Sequence, residues 1–286
     1  MTNSKQCIDL RSYLFVPGNR PERFAKALDS GADAIIIDLE DAVAAEEKAA
    51  SRRHIEAALD QGLFRSNVPS IYVRINAADT EWFIDDLALI KEAHMLGVML
   101  PKAEHAEQVA RIHEMTEKLC RVIPIIETAT GLINAQAIAQ ADGVERLAFG
   151  SIDFQLDLQC DGSETALLYA RSQLVAVSRW AELAAPVDGV TVALDDAEQL
   201  TQDAQHAKSL GMGAKLCIHP RQVSIVNAIW QPTRDEITWA KKVISALAQV
   251  ESGGQSGQNA MKVDGMMIDR PVLLKAQRIL NQLRME

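Results

Sequence analysis

Eight short apolar runs alternate with helical stretches along this chain, and that alternation restricts its fold more than any other feature. The strand-like runs are predicted at residues 12–16, 34–39, 70–75, 97–100, 122–126, 147–152, 187–190 and 214–218. The seventh is short. Helical periodicity fills the gaps at 21–30, 44–60, 81–95, 106–119, 130–139, 163–183 and 197–210, and a further helix begins near Gln222. Parallel neighbours need a crossover, and a helix supplies one, so strand–helix alternation predicts a parallel sheet. Eight units fit an α/β protein of the (β/α)8 TIM-barrel class; an open doubly wound sheet is the alternative if the seventh strand fails. The apolar content suits strands buried on both faces, because Ile, Val, Leu and Ala carry it while aromatics make up 5%.

The runs also share an ending. Ala34-Ile-Ile-Ile leads into Asp38, Glu40 and Asp41. Ser70-Ile-Tyr-Val ends in Arg74, and Gly97-Val-Met-Leu-Pro ends in Lys102. Val122-Ile-Pro-Ile-Ile ends in Glu127, and the sixth run ends in Asp153. A barrel enzyme builds its site at the C-terminal ends of its strands, so these exits are where chemistry is expected.

Other chemistries are disfavoured. A net charge of -10 argues against a nucleic-acid-binding surface. Cys7, Cys120, Cys160 and Cys217 have no paired spacing, which suits reduced thiols in a cytoplasmic protein. The first residues lack the apolar core of a signal peptide, and no run is long enough to cross a membrane. P-loop, G-x-G-x-x-G, H-E-x-x-H and G-x-S-x-G motifs are all missing.

Glu127 and Asp153 end neighbouring strands, which lie roughly 5 Å apart in a barrel. Two carboxylates so placed can share a small hard cation such as Mg2+, with water and substrate completing its octahedron. Equally, each acid could cap the next helix or pair with a cation. Asp38, Glu40 and Asp41 repel one another unless neutralised. Lys48 and Arg52 are available for that, and the cluster could hold metal-bound water. Arg74 could clamp a substrate oxyanion or simply neutralise the same acids. Lys102 could act similarly or stay solvated. Arg20, Arg23 and Lys26 place positive charge beside a helix N-terminus, a setting that can hold phosphates.

The pattern changes after the eighth unit. Residues 235–250 read as one more helix, closing a barrel domain at 1–250. A glycine-rich linker from Ser252 opens the second part, 251–286. A short element with a turn at Asp264-Gly265 and a last helix over 272–284 follow. A structured element on a glycine tether is a candidate lid; a tail docked on the surface is the alternative.

Eight strings occur in order: Arg11-Ser-Tyr-Leu-Phe-Val-Pro-Gly-Asn, Ile37-Asp-Leu-Glu-Asp-Ala-Val, Val73-Arg-Ile-Asn, Leu100-Pro-Lys, Ile126-Glu-Thr-Ala, Phe149-Gly-Ser-Ile-Asp-Phe, Cys217-Ile-His-Pro and Asp264-Gly-Met-Met-Ile-Asp-Arg-Pro. Together they resemble the citrate lyase β-subunit-like branch of the HpcH/HpaI aldolase superfamily, which includes citryl-, malyl- and citramalyl-CoA lyases. The resemblance implies a TIM barrel with Mg2+ on Glu127 and Asp153, Arg74 on substrate, and Arg23 and Lys26 facing the phosphates of CoA. It also implies a homo-oligomer, with a trimer favoured, in which a C-terminal acid is the catalytic base. Asp269 matches that acid and Asp264 is its rival. The implied reaction splits a 3-hydroxy-3-carboxyacyl-CoA thioester, with (S)-citramalyl-CoA giving pyruvate and acetyl-CoA as the leading choice. A carrier-dependent citryl-CoA lyase, a malyl-CoA lyase and a metal-dependent 2-oxoacid aldolase without CoA are the alternatives.

Overall fold

A computed structural model describes residues 10–64, 69–92, 96–117, 120–252, 261–263 and 266–282. Eight parallel strands close into a barrel in chain order: β1 (Ser12–Pro17), β2 (Ala34–Asp38), β3 (Ser70–Arg74), β4 (Gly97–Leu100), β5 (Val122–Ile126), β6 (Ala148–Phe149), β7 (Val187–Asp188) and β8 (Ala214–Cys217), with β8 pairing back to β1. The open doubly wound alternative is therefore set aside. In sequence order the helices are α1 (Phe24–Leu28), α2 (Lys48–Asp60), α3 (Phe83–Glu92), α4 (Ala106–Thr116), α5 (Ala129–Ile133), α6 (Ala135–Gln140), α7 (Ser151–Leu158), α8 (Glu164–Trp180), α9 (Ala197–Leu210) and α10 (Pro220–Trp230).

Side-chain alternation along the strands separates two apolar layers. Tyr13, Ile36, Tyr72, Met99, Ile125 and Leu216 belong to one cluster, the filling of the barrel. Their neighbours Leu14, Ile35, Ile37, Val73 and Ile126 join a second cluster shared with the helices. Helical spacing matches that second layer: α8 buries Leu167, Ala170, Leu174 and Val177 along one stripe. Ser163 caps α8 by accepting the Ala166 amide, and Asp196 caps α9 by accepting the Gln199 amide.

Register decides which strand tips meet. Pro17 lies beside Asp38, and Asp38 beside Arg74. Ile126 lies beside Phe149, which brings Glu127 level with Gly150. The sixth strand is shorter than its apolar run suggests. Gly150 leaves the extended conformation at φ −88 and ψ 76, and α7 begins at Ser151. Asp153 therefore sits in the first turn of a helix rather than at the end of a strand. The helix expected at 130–139 is two helices, α5 and α6, divided at Asn134.

Residues 231–286 form a compact unit separate from residues 1–230. Within it α11 (Arg234–Ser252) packs on α12 (Arg270–Gln282), and β9 (Met261–Val263) pairs antiparallel with β10 (Met266–Ile268). Ala240, Val243, Ile268, Ala276 and Ile279 make its own apolar core. The sequence places the barrel boundary at 250. In the structure α11 groups with the C-terminal unit, because its apolar face is covered by α12. The glycine-rich linker and Asp264 lie outside the described residues.

Candidate active site

Beyond Asp38 the chain turns out of β2, and the Asp38 carboxylate gathers the amides of that turn. Asp38 Oδ1 accepts the Glu40 amide at 2.9 Å, and Oδ2 accepts the Ala42 amide at 3.1 Å. From the adjacent strand tip Arg74 donates to the same group twice, Nε to Oδ1 at 2.7 Å and Nη2 to Oδ2 at 2.6 Å. This is the paired geometry that favours arginine over lysine. Because the chain turns, Asp41 also reaches Arg74, with Nη1 to Oδ2 at 3.3 Å. Strand alternation would have sent Asp41 to the opposite face.

Glu40 is nearly buried and stands between two cations. Its Oε1 accepts Lys102 Nζ at 2.7 Å. Its Oε2 lies 3.0 Å from Arg74 Nη1 as an ion pair, without the alignment of a hydrogen bond. Burial raises the Glu40 carboxyl above its ordinary value, against the opposing pull of Arg74 and Lys102. Burial also works against the charge on Arg74, yet Asp38, Glu40 and Asp41 hold the guanidinium more firmly protonated than usual. Phe15 covers it from another side, its ring centroid 4.8 Å from Cζ. A guanidinium has five N–H donors. Asp38 takes two of them and Asp41 one. Neutralising the acids therefore does not exhaust Arg74.

Lys48 and Arg52 do not neutralise this cluster by pairing with its carboxylates. Lys48 is buried, and its Nζ donates to the carbonyls of Leu39 at 2.8 Å and Glu40 at 3.1 Å. It fastens the backbone of the turn instead. Arg52 reaches across to α3, pairing with Asp86 and Asp85, both at 2.9 Å.

Glu127 is 3% exposed. Its Oε1 accepts the Lys102 amide at 2.6 Å. Burial pushes its carboxyl up to about 8; the Lys102 amide opposes the rise, while the charges of Glu40 and Asp153 add to it. No room exists for a side chain at position 150, where a Cβ would lie 2.2 Å from Glu127 Oε2. Glycine there is a requirement of the carboxylate's position.

Asp38, Asp41, Arg74, Glu127 and Asp153 line one cavity of about 410 Å3 at the strand exits. Phe15, Ile125, Phe149, Val190, Leu216 and Ile218 supply most of its remaining wall. Its charged lining is thus four acids and one arginine. Among the described residues no three His, Cys, Asp or Glu side chains gather into a ready-made metal cage. Two carboxylates do suit a cation that keeps most of its water. A buried acid raised this far, facing a second acid, has the chemistry of a site that a divalent cation would relieve.

The profile of the HpcH/HpaI aldolase/citrate lyase family matches residues 11–220. A citrate lyase subunit beta-like protein of Deinococcus radiodurans is 36% identical over 281 residues, 95% of this chain and 96% of that protein. This chain belongs to the HpcH/HpaI aldolase/citrate lyase family. A second relative of the HpcH/HpaI chain, the (3S)-malyl-CoA thioesterase of Cereibacter sphaeroides, is 31% identical over 96% of this chain and 95% of its own. Among solved structures, Mycobacterium tuberculosis CitE in complex with magnesium, acetoacetate and coenzyme A matches with a TM-score of 0.79. It is 31% identical, over 96% of this chain and 98% of that one.

The first loop and the C-terminal unit carry the other residues singled out in the sequence of this HpcH/HpaI protein. Arg23 and Lys26 are exposed after β1, on a turn of 3-10 helix and on α1, outside the cavity lining. Asp269 is exposed, and its Oδ1 accepts the Val272 amide at 3.1 Å at the start of α12, the bond of a helix cap. The sequence gives no sign of Gly150's role. Phe15 and the Lys102 amide are equally silent, since each depends on which tips become neighbours. No helix among the described residues is long and apolar enough to cross a membrane.

Proposed function

We propose that this cavity is the active site of a Mg2+-dependent lyase that cleaves a carbon–carbon bond in a 3-hydroxy-3-carboxyacyl-CoA thioester. The observation carrying the proposal is the convergence of Glu127, Asp153 and Arg74 on one cavity at the barrel's strand exits. Magnesium and coenzyme A in the related CitE structure support it. Glu127 and Asp153 would hold the metal. Bound there, Mg2+ would supply Lewis acidity and a template for the substrate's carboxylate and hydroxyl oxygens.

In cleavage the hydroxyl proton passes to the carboxylate of the C-terminal element, the bond from the carbinol carbon to the methylene carbon breaks, and a 2-oxoacid forms. The electron pair moves into the thioester as the enolate of acetyl-CoA. Arg74 stabilises the charge that develops on the thioester oxygen, using donors the acids leave over. An acid of the C-terminal element, Asp269 or Asp264, handles the proton at the acetyl carbon. Arg23 and Lys26 offer their charge to the phosphates of CoA.

Among the possible substrates this reading takes (S)-citramalyl-CoA, and the lining of the cavity supports that choice. Citramalyl carries a methyl where citryl carries a carboxymethyl group. Ile125, Phe149, Val190, Leu216 and Ile218 offer an apolar wall to that methyl, whereas a carboxymethyl group would bring a further charge against the same wall. Against malyl, which lacks the methyl, discrimination is only about 1–3 kcal/mol. Turnover of the three thioesters in parallel tests this order: kcat/KM highest for citramalyl-CoA and lowest for citryl-CoA. Preference for citryl-CoA would remove the argument from the apolar wall.

Two further outcomes are expected for the metal. Below about pH 8 the metal-free protein keeps a proton on Glu127, so binding Mg2+ at pH 7 expels nearly one proton. Apparent affinity then strengthens up to about tenfold per pH unit from 6 toward 8 and flattens above. Calorimetry in buffers of different ionisation enthalpy reads the proton count directly, and pH-independent binding would contradict it. Gly150→Ala drives a methyl into Glu127 Oε2. It should weaken Mg2+ binding about 10–100-fold, the range seen when a metal ligand's support is disturbed.

A second reading follows the malyl-CoA thioesterase relative. In that reading water attacks the thioester carbonyl, releasing free CoA and the hydroxy acid intact.

A further inference from the structure

Four side-chain-bearing residues among those described have positive φ: Lys102, Glu117, Gln159 and Glu182. Three of them stand at the C-terminal ends of α4, α7 and α8, where a left-handed residue commonly stops a helix. Lys102 is different. It follows β4 and Pro101 at the rim of the barrel, with φ 47. A residue with a Cβ adopts this conformation at an energetic cost, and such strain concentrates at functional sites.

The left-handed turn makes two contacts from one residue. The Lys102 amide points to Glu127 Oε1 at 2.6 Å, and its Nζ reaches Glu40 Oε1 at 2.7 Å. Glu40 in turn stands 3.0 Å from Arg74 Nη1. Lys102 therefore lies between the carboxylate assigned to the metal and the counter-charges of Arg74. We propose that Lys102 is a positioning residue of this site, whose backbone amide orients Glu127 for a divalent cation and whose ammonium offsets Glu40 so that Arg74 keeps charge for substrate.

The proposal rests on Glu127 being a metal ligand. It makes the two functions separable, because the amide depends on backbone conformation and the ammonium does not. Glycine adopts positive φ without strain, so Lys102→Gly keeps the amide and deletes the ammonium. Valine is poorly tolerated there, so Lys102→Val disturbs both. Lys102→Arg keeps a cation on the same backbone.

The experiment is a Mg2+ titration by calorimetry on the substrate-free proteins, followed by steady-state kinetics, with circular dichroism to select folded variants. Lys102→Gly should bind Mg2+ within about threefold of the unsubstituted protein, yet lose at least tenfold in kcat. Lys102→Val should weaken Mg2+ binding at least tenfold as well. Lys102→Arg should recover most of the kcat lost in the glycine variant. Unchanged Mg2+ affinity in Lys102→Val overturns the backbone role. Unchanged kcat in Lys102→Gly, or no recovery in Lys102→Arg, overturns the ammonium role. Should Lys102→Val not fold, Lys102→Thr, which is also β-branched but polar, serves in its place, with the same two outcomes. Failure of the unsubstituted protein to bind Mg2+ overturns the metal reading itself and this proposal with it. Normal binding there confines any failure to Lys102.

Discussion

Replacing Glu127 with alanine lowers turnover at least ~100-fold, the scale on which a lost electrostatic stabiliser is felt. The variant should stay folded, and it should gain stability at neutral pH when no metal is present. The reason is the sign of the Glu127 shift. Burial raises its folded pKa to about 8 from an ordinary 4.5, so its ionisation opposes folding. The benefit of holding it neutral is complete below about pH 4.5 and is lost as pH rises through about 8. Removing the carboxyl removes that dependence. A variant that loses turnover, loses Mg2+ affinity and resists urea better than the parent at pH 8 would show a site strained for function. Near-normal turnover would remove Glu127 from the mechanism.

Replacing Arg74 with methionine should damage both stability and activity. Arg74 is 13% exposed at its side chain, Asp38 2% and Glu40 9%. Methionine fills similar space but leaves those carboxylates without their main counter-charge. Breaking a buried ion pair from one side costs about 3–5 kcal/mol, because the stranded charge remains. Urea unfolding should report a loss of that size at pH 7. The loss should shrink as pH falls and the stranded acids take up protons. Turnover should fall at least ~100-fold even where the variant is fully folded. Arg74→Lys should recover part of the stability and little of the activity, since lysine cannot make the paired contact with Asp38. A methionine variant as stable as the parent would mean that the acids find other partners.

The central geometry was legible in the sequence because of one periodicity. Alternation along β2 and β3 puts Asp38 and Arg74 on the barrel side of their strands, and the parallel register makes them neighbours. Charge alone then dictates the ion pair. Asp41 could not be read the same way, because the alternation stops where Asp38 gathers the Glu40 and Ala42 amides into a turn. Arg52 pairs away from the acids for a related reason. It lies close to the acids along the chain, but Asp86 on the next helix is closer in space. Asp153 looked like the end of an apolar strand; a two-residue β6 followed by Gly150 moved it onto a helix, and only the fold could show that. Lys102 was visible as a cation at a strand exit. Its left-handed backbone was not, since nothing in a Pro-Lys pair demands positive φ. The role of Gly150 depends wholly on its neighbour in space, Glu127, 23 residues earlier in the chain.

Product analysis separates the lyase reading from hydrolysis most directly. The purified chain is given citramalyl-CoA with Mg2+ and, in parallel, with EDTA, and the products are resolved by chromatography. Equal amounts of pyruvate and acetyl-CoA, formed with Mg2+ and abolished by EDTA, are the predicted result. Free CoA with citramalate left intact would contradict the account, and so would cleavage that EDTA leaves untouched.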